Sequence, residues 1–235
     1  MLDETGAFFR RAWWLAITSA LPGLASYAMW RLPMPWDNSA GVRIVNAMTA
    51  FAVVALTYWV VRFIALEHDL RAALGVDRNS VRTFLPYAVT AFSIIWLSLT
   101  VSTMIGNMAG TTLRLLPEFL FFLAPWAMTA PSRSNVIGPV RSVKLVAPHL
   151  GWAIGLLFAV LLLNTILVFG VGFLGGRLTA GTALTFLGGF SLASTIGRAA
   201  IEVAFNVIFP VATYALALRT GVRVNEAAGL SAVFE

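Results

Sequence analysis

The chain has no cysteine, which removes disulfides, thiolate nucleophiles, iron–sulfur ligation and thiolate zinc sites together. It is also poor in charge and in histidine. Charged residues make up 11% of the sequence and there are two histidines, where a soluble domain carries about a quarter charged residues. Acidic side chains are the scarcer sign, ten against sixteen Lys and Arg, giving a formal charge of +6 and a pI near 10.7. What fills the space is apolar: 59% of the residues, with a mean hydropathy of +0.85. These proportions predict an all-α, polytopic integral membrane helix bundle.

A spanning helix needs roughly 20 apolar residues to cross a hydrocarbon layer about 30 Å thick. The apolar runs predict six transmembrane helices, near residues 12–30, 44–66, 84–105, 115–130, 150–174 and 196–218, in a single transmembrane domain over 1–235. The intervening segments are shorter than the roughly 50 residues a separate soluble domain takes, so any chemistry must lie in the bundle or at its rim. Arg10 and Arg11 precede the first run as in a secretory signal. Asp3, Glu4 and the lack of a small-residue cleavage site before Trp30 predict a retained helix instead. Gly106 to Arg114, with Asn107, Thr111 and Thr112, suits a tight helical hairpin between spans three and four. The glycine- and threonine-rich stretch from Gly175 to Ser194 is too short to span and too apolar for an ordinary loop. It predicts a re-entrant or interfacial segment near 178–194.

Orientation follows from the positive charges, which cytoplasmic loops retain. One set of segments holds Arg10, Arg11, Arg62, Arg71, Arg78, Arg82, Arg133, Arg141, Lys144, Arg219 and Arg223; the other holds Arg31, Arg43, Arg114 and Arg177, with Arg198 intramembrane. The bias places both termini in the cytoplasm, as an even number of spans requires. Trp13, Trp14, Trp126 and Trp152 fall near inner ends, and Trp30 and Trp36 near an outer end, as interfacial belts do. Trp96 is the exception, at mid-span. The loop from Arg62 to Arg82 mixes Arg71, Arg78 and Arg82 with Glu67, Asp69 and Asp77, and reads as a solvated, salt-bridge-capable connection. Topology and anionic lipid account for the basic residues better than nucleic acid, which is set aside as a partner.

Between spans four and five, Val136, Ile137, Val140, Val143 and Leu145 alternate with Arg141, Ser142 and Lys144. Apolar positions at helical spacing beside two cations predict a short interfacial helix near 135–148 on the cytoplasmic face. It reads as a linker holding spans four and five apart, or as a contact for a partner or a lipid headgroup through Arg141 and Lys144. The run Arg141-Ser142-Val143-Lys144-Leu145, a long span opened by Gly151 and Trp152, a glycine-rich turn, and a last span with Pro210, Tyr214 and Arg219 form a wider pattern. Over roughly residues 120–223 it resembles the membrane domain attached to some glycerophosphoryl diester phosphodiesterases, and related stand-alone six-helix bacterial membrane proteins. Residues 1–235 hold no catalytic barrel of the kind those phosphodiesterases carry. The resemblance therefore implies a bacterial inner-membrane scaffold, with no hydrolase activity and no catalytic residue carried over.

Polar residues within the spans are the remaining candidates, because burying one in hydrocarbon is costly unless it finds a partner or water. Glu118 enters at the outer start of span four, and Arg198 and Glu202, one helical turn apart, lie in the outer part of span six. Together they allow an ionic cluster, read either as a clasp between helices or as a proton, ion or solute site. Asn164 and Asn206 read as interhelical glue, and Pro210 predicts a kink beside Asn206. Gly151 with Gly155, and Gly172 with Gly176, have the spacing that lets helices approach closely. Gly170 to Gly175 matches G-x-G-x-x-G without the strand and acidic residue that give the motif meaning. His68 and His149 sit at loop margins, where a solvated imidazole is expected before haem or metal. No catalytic, cofactor or metal residues are predicted. The leading expectation is a non-enzymatic membrane scaffold or accessory subunit, in contact with membrane lipids and with a membrane-protein partner or a second copy of itself. The alternative is a small transporter or permease for an ion, small solute or lipid, using a polar cluster of Glu118, Arg198 and Glu202 with Asn164 and Asn206 nearby.

Overall fold

The computed structural model describes residues 2–31, 38–66, 68–105, 116–131, 136–179, 207–208 and 210–220. Every element among them is helical. Helix α1 (Leu2–Arg31) starts ten residues before the expected span, and its backbone leaves helical geometry at Ala12 (φ −136°, ψ 25°). That kink separates a leading piece carrying Arg10 and Arg11 from the apolar stretch. Helix α2 (Asn38–Ala65), the short α3 (Leu70–Leu74) and α4 (Arg78–Ile105) follow. Among the described residues, Ala40–Ala65 and Arg78–Val101 are long and apolar enough to cross a membrane.

Within the fourth expected span the described residues are not wound as a single α-helix. Residues Leu116–Leu123 form a 3-10 helix and Ala124–Thr129 form α5. Eight residues at about 2.0 Å each and six at about 1.5 Å reach about 25 Å, against about 21 Å for the same segment wound throughout as α-helix. The tighter winding thus lengthens a segment that is otherwise short for its place. Helix α6 (Pro139–Val146) and a 3-10 turn (Ala147–His149) lead into α7 (Leu150–Thr179). Helix α7 runs through Gly175 and Gly176, five residues past the expected end of span five. The last described helix, α8, covers 210–219. The hairpin at Gly106 to Arg114 and the segment at 180–194 lie outside the described residues.

Helix α2 is packed on two faces. Leu56, Val60 and Phe63 meet Phe8, Leu15 and Ala16 of α1, with Phe8 and Phe63 edge to face at 5.4 Å. Ala50, Val54, Tyr58 and Val61 join Phe84, Tyr87, Ala91 and Ile95 of α4 and Trp126 of α5. A third cluster links Phe121, Ala124, Val146 and Ala153. Residues 207–217 contribute to all three: Val207 and Val211 to the first, Ala217 to the second, Ala212 and Leu216 to the third, each fully buried. Among the described residues, α8 thus reaches all three clusters. The register is antiparallel, since Phe8 meets Phe63, and Tyr58 meets Phe84 while Trp96 reaches the Arg43 carbonyl.

Candidate functional site

The pairings that set the register also bring the basic residues to one end. Arg11 donates to the His68 carbonyl, and Arg62 to the Ala72 carbonyl at 3.3 Å. Tyr87 packs edge to face on Trp126 at 5.5 Å, Trp126 bonds to Ser142, and the Arg219 guanidinium lies 5.3 Å over the Trp152 ring. The start of α1, the end of α2, α3, the start of α4, the end of α5, α6 and the end of α8 thus share one end of the bundle. The opposite end carries Arg43 and Arg177.

At the basic end the α2–α4 connection is built by its own polar groups. His68 takes a left-handed backbone (φ 69°), uncommon for a residue with a Cβ, and its ring packs on Phe63 at 5.1 Å. Asp69 caps α3 by accepting from the Arg71 and Ala72 N–H groups at 2.9 and 3.1 Å. Asp77 accepts from the Asn79 N–H and the Ser80 hydroxyl at the start of α4. The two aspartates expected to serve a salt-bridged loop thus act as helix caps. Arg62 is buried: it donates to the Tyr58 hydroxyl at 3.4 Å, lies 5.6 Å from that ring's centroid, and its Nε has no hydrogen-bond partner among the described residues. An arginine counted as a loop charge is a packed residue that holds α3 against α2.

Helix α6 reverses the usual arrangement of a surface helix. Ser142 is fully buried, while Val140 is 68% and Val143 45% exposed. Val136, Arg141 and Lys144 are exposed as well, and Ile137 and Val146 are buried. The reason lies in α5. Ser142 Oγ accepts from the Trp126 N–H at 3.2 Å and donates to the Phe122 carbonyl at 3.2 Å. These two backbone groups, four residues apart, would bond each other in an uninterrupted α-helix. The serine hydroxyl is inserted into the helix ladder where 3-10 winding gives way to α, beside Pro125, which has no N–H to offer. Thr129 makes a second tie, donating to the Pro125 carbonyl at 2.8 Å and accepting from the Ile137 N–H at 3.0 Å.

No protein-family model, curated protein or solved structure matches the chain. The site's reading rests on its own residues.

Arg141 and Lys144 stand where the sequence places them, on the exposed side of the surface helix. Glu118 lies in the 3-10 segment and Asn164 in α7, with their side chains outside the described residues; Arg198, Glu202 and Asn206 lie outside them altogether. Trp126, expected at the interface, is instead buried against Tyr87, whereas Trp13 and Trp14 are exposed beside Arg10 and Arg11. Trp96, the exception at mid-span, donates its indole N–H to the Arg43 carbonyl at 3.3 Å near the opposite end. Sequence reasoning missed Ser142, whose cationic neighbours make it look like part of the wet face. It also missed Asn46, a buried asparagine of α2 whose amide nitrogen lacks a hydrogen-bond partner. The signal for Asn46 was the one used for Asn164 and Asn206, a carboxamide within an apolar run.

Proposed function

We infer that the chain is a non-enzymatic, multi-pass membrane scaffold or accessory subunit, with six spans and both termini on the cytoplasmic side of a bacterial plasma membrane. The observation that carries this reading is the distribution of polarity. Phe51, Val89, Leu97, Phe158, Leu162 and Phe169 lie on the outside, Phe51 and Phe158 each 68% exposed, while Asn46, Thr57, Ser98, Thr100, Thr129, Ser142 and Thr213 are buried. An exterior of that kind suits lipid, and exposed apolar area on this scale is foreign to a protein surface in water. The scaffold assignment is supported by where the polar side chains go. Ser142, Thr129 and Arg62 bond to backbone groups of neighbouring elements and hold them together, while Asp69 caps α3 and Thr57 bonds within α2. The resemblance over roughly residues 120–223 implies the same role. Among the described residues, nothing lies within 4 Å of where a Cβ would stand on Gly151 and Gly155 of α7, which leaves room for a partner helix.

Single cysteines report topology cleanly in a chain that has none of its own. A cysteine replacing Val76 should be reached by an impermeant maleimide only from the cytoplasmic side, and one replacing Ala40 only from outside. The reverse pattern would overturn the orientation. Purification from native membranes in mild detergent should retain a stoichiometric protein partner.

One observation favours transport as a second reading. The 3-10 segment that carries Glu118 is far longer than the three or four residues usual for that winding, and irregular winding inside apolar sequence often marks a functional position. Replacing Glu202 with Gln separates the readings: a well-expressed variant should keep its partner as a scaffold but lose proton-coupled uptake as a transporter.

A further inference from the structure

The outward face of α6 has a chemistry that its own fold leaves unanswered. Lys144 lies opposite the buried Ser142, Val140 lies one turn before it, and Val143 and Arg141 flank the pair. Valines and cations thus occupy one exposed surface. Between Glu118 and Glu202 the sequence holds no Asp or Glu at all, so neither α6 nor the helices on either side of it in the chain can supply a carboxylate to Arg141 or Lys144. The face continues into the exposed apolar row of α7 that begins with Leu150 and Ile154. A short helix with cations beside valines, joined to an apolar helix running away from it, has the form of an element lying at the boundary of acyl chain and headgroup.

We propose that the outward face of α6 seats in the headgroup layer of anionic phospholipid, and that Ser142 transmits this seating to the break in the buried helix at Phe122–Trp126. The proposal rests on the membrane reading above. Val140 and Val143 enter the acyl boundary while Arg141 and Lys144 hold phosphate oxygens. Ser142, on the opposite side of the same two helical turns, keeps the Trp126 N–H and the Phe122 carbonyl bridged. When α6 lifts from the surface, the hydroxyl leaves the ladder and the junction of 3-10 and α winding becomes free to close or to open. Lipid charge on one face of the membrane thereby sets the conformation of the segment that carries Glu118.

The full chain, labelled with an environment-sensitive fluorophore at Val140→Cys, is reconstituted in discs of phosphatidylcholine alone and of phosphatidylcholine with phosphatidylglycerol. Emission should shift to the blue and be quenched by shallow lipid-borne quenchers in the anionic discs. Each cation contributes about a fivefold preference for an anionic surface, so the pair Arg141→Gln and Lys144→Gln should weaken the seating about twenty-five-fold. Hydrogen exchange at the Trp126 amide should slow in anionic discs, and Ser142→Ala should abolish that slowing while leaving the quenching intact. A label at 140 that stays open to aqueous iodide in both discs overturns the proposal. So does a benzophenone at 140 that crosslinks in native membranes to protein instead of lipid. A label at Phe51→Cys distinguishes the two failures: if deep quenchers reach it while 140 remains aqueous, the lipid seat is wrong and the spanning reading stands.

Discussion

A buried hydroxyl with two backbone partners is worth more than its size implies. Removing it strands a donor and an acceptor in an apolar interior, which costs about 1–3 kcal/mol. Ser142→Ala should therefore lower stability by about that amount in thermal unfolding in detergent, whereas Val143→Ala, one residue along and exposed, should change it by less than about 0.5 kcal/mol. Equal effects would remove Ser142 from the structural account. The contrast runs against hydropathy, which ranks the valine as the core residue and the serine as the surface one. Arg62 teaches the same lesson with a charge. Its guanidinium lies over the Tyr58 ring and donates to the Ala72 carbonyl, so it behaves as an internal strut although its sequence position marks it as a topogenic cation.

Short elements here are held by caps and clasps more than by length. Helix α3 has five residues, well below the length at which an isolated helix is stable, and depends on Asp69 at its start and Arg62 behind it. Asp69→Ala should cost about 1 kcal/mol and speed tryptic cleavage at Arg71, measured by limited proteolysis of the purified protein; unchanged cleavage would show that packing of Ala73 and Leu74 alone suffices. The 3-10 segment Leu116–Leu123 and α5 depend likewise on the two hydroxyls of Thr129 and Ser142. Helical type was legible for the described residues because apolar runs of helical length leave few alternatives in a low-charge sequence. The winding of the fourth element was not legible. It depends on a hydroxyl supplied from another helix sixteen residues along, and no local preference announces that.

At the scale of the molecule, α8 is the member on which the packing converges. Leu216, Val211, Ala212 and Ala217 are all fully buried. Leu216→Ala should destabilise the bundle by about 2–5 kcal/mol through the cavity it leaves, and Ile154→Ala, on the exposed row of α7, by less than about 0.5 kcal/mol. Scanning calorimetry or a dye-based melt in detergent distinguishes them; a small loss at Leu216 would mean that the centre of the bundle lies elsewhere. The gathering of Arg10, Arg11, Arg62, Arg71, Arg78, Arg82, Arg141, Lys144 and Arg219 at one end was foreseeable, because alternation of apolar runs dictates which loops lie together whatever the helices touch.

Composition and run length by themselves determined the helical class and the grouping of the described cations at one end. These follow from the chain's local physics: a backbone in an apolar sequence must satisfy its own hydrogen bonds, and helix is how it does so. Which side of each helix faces inward was decided only by tertiary structure. In an apolar run every face is hydrophobic, so periodicity carries no direction, and the choice falls to shape and to hydrogen bonds between elements distant in sequence. Hence Trp126 went inside with Tyr87, Val140 went outside, and Ser142, between two cations, became the most deeply placed polar group of α6.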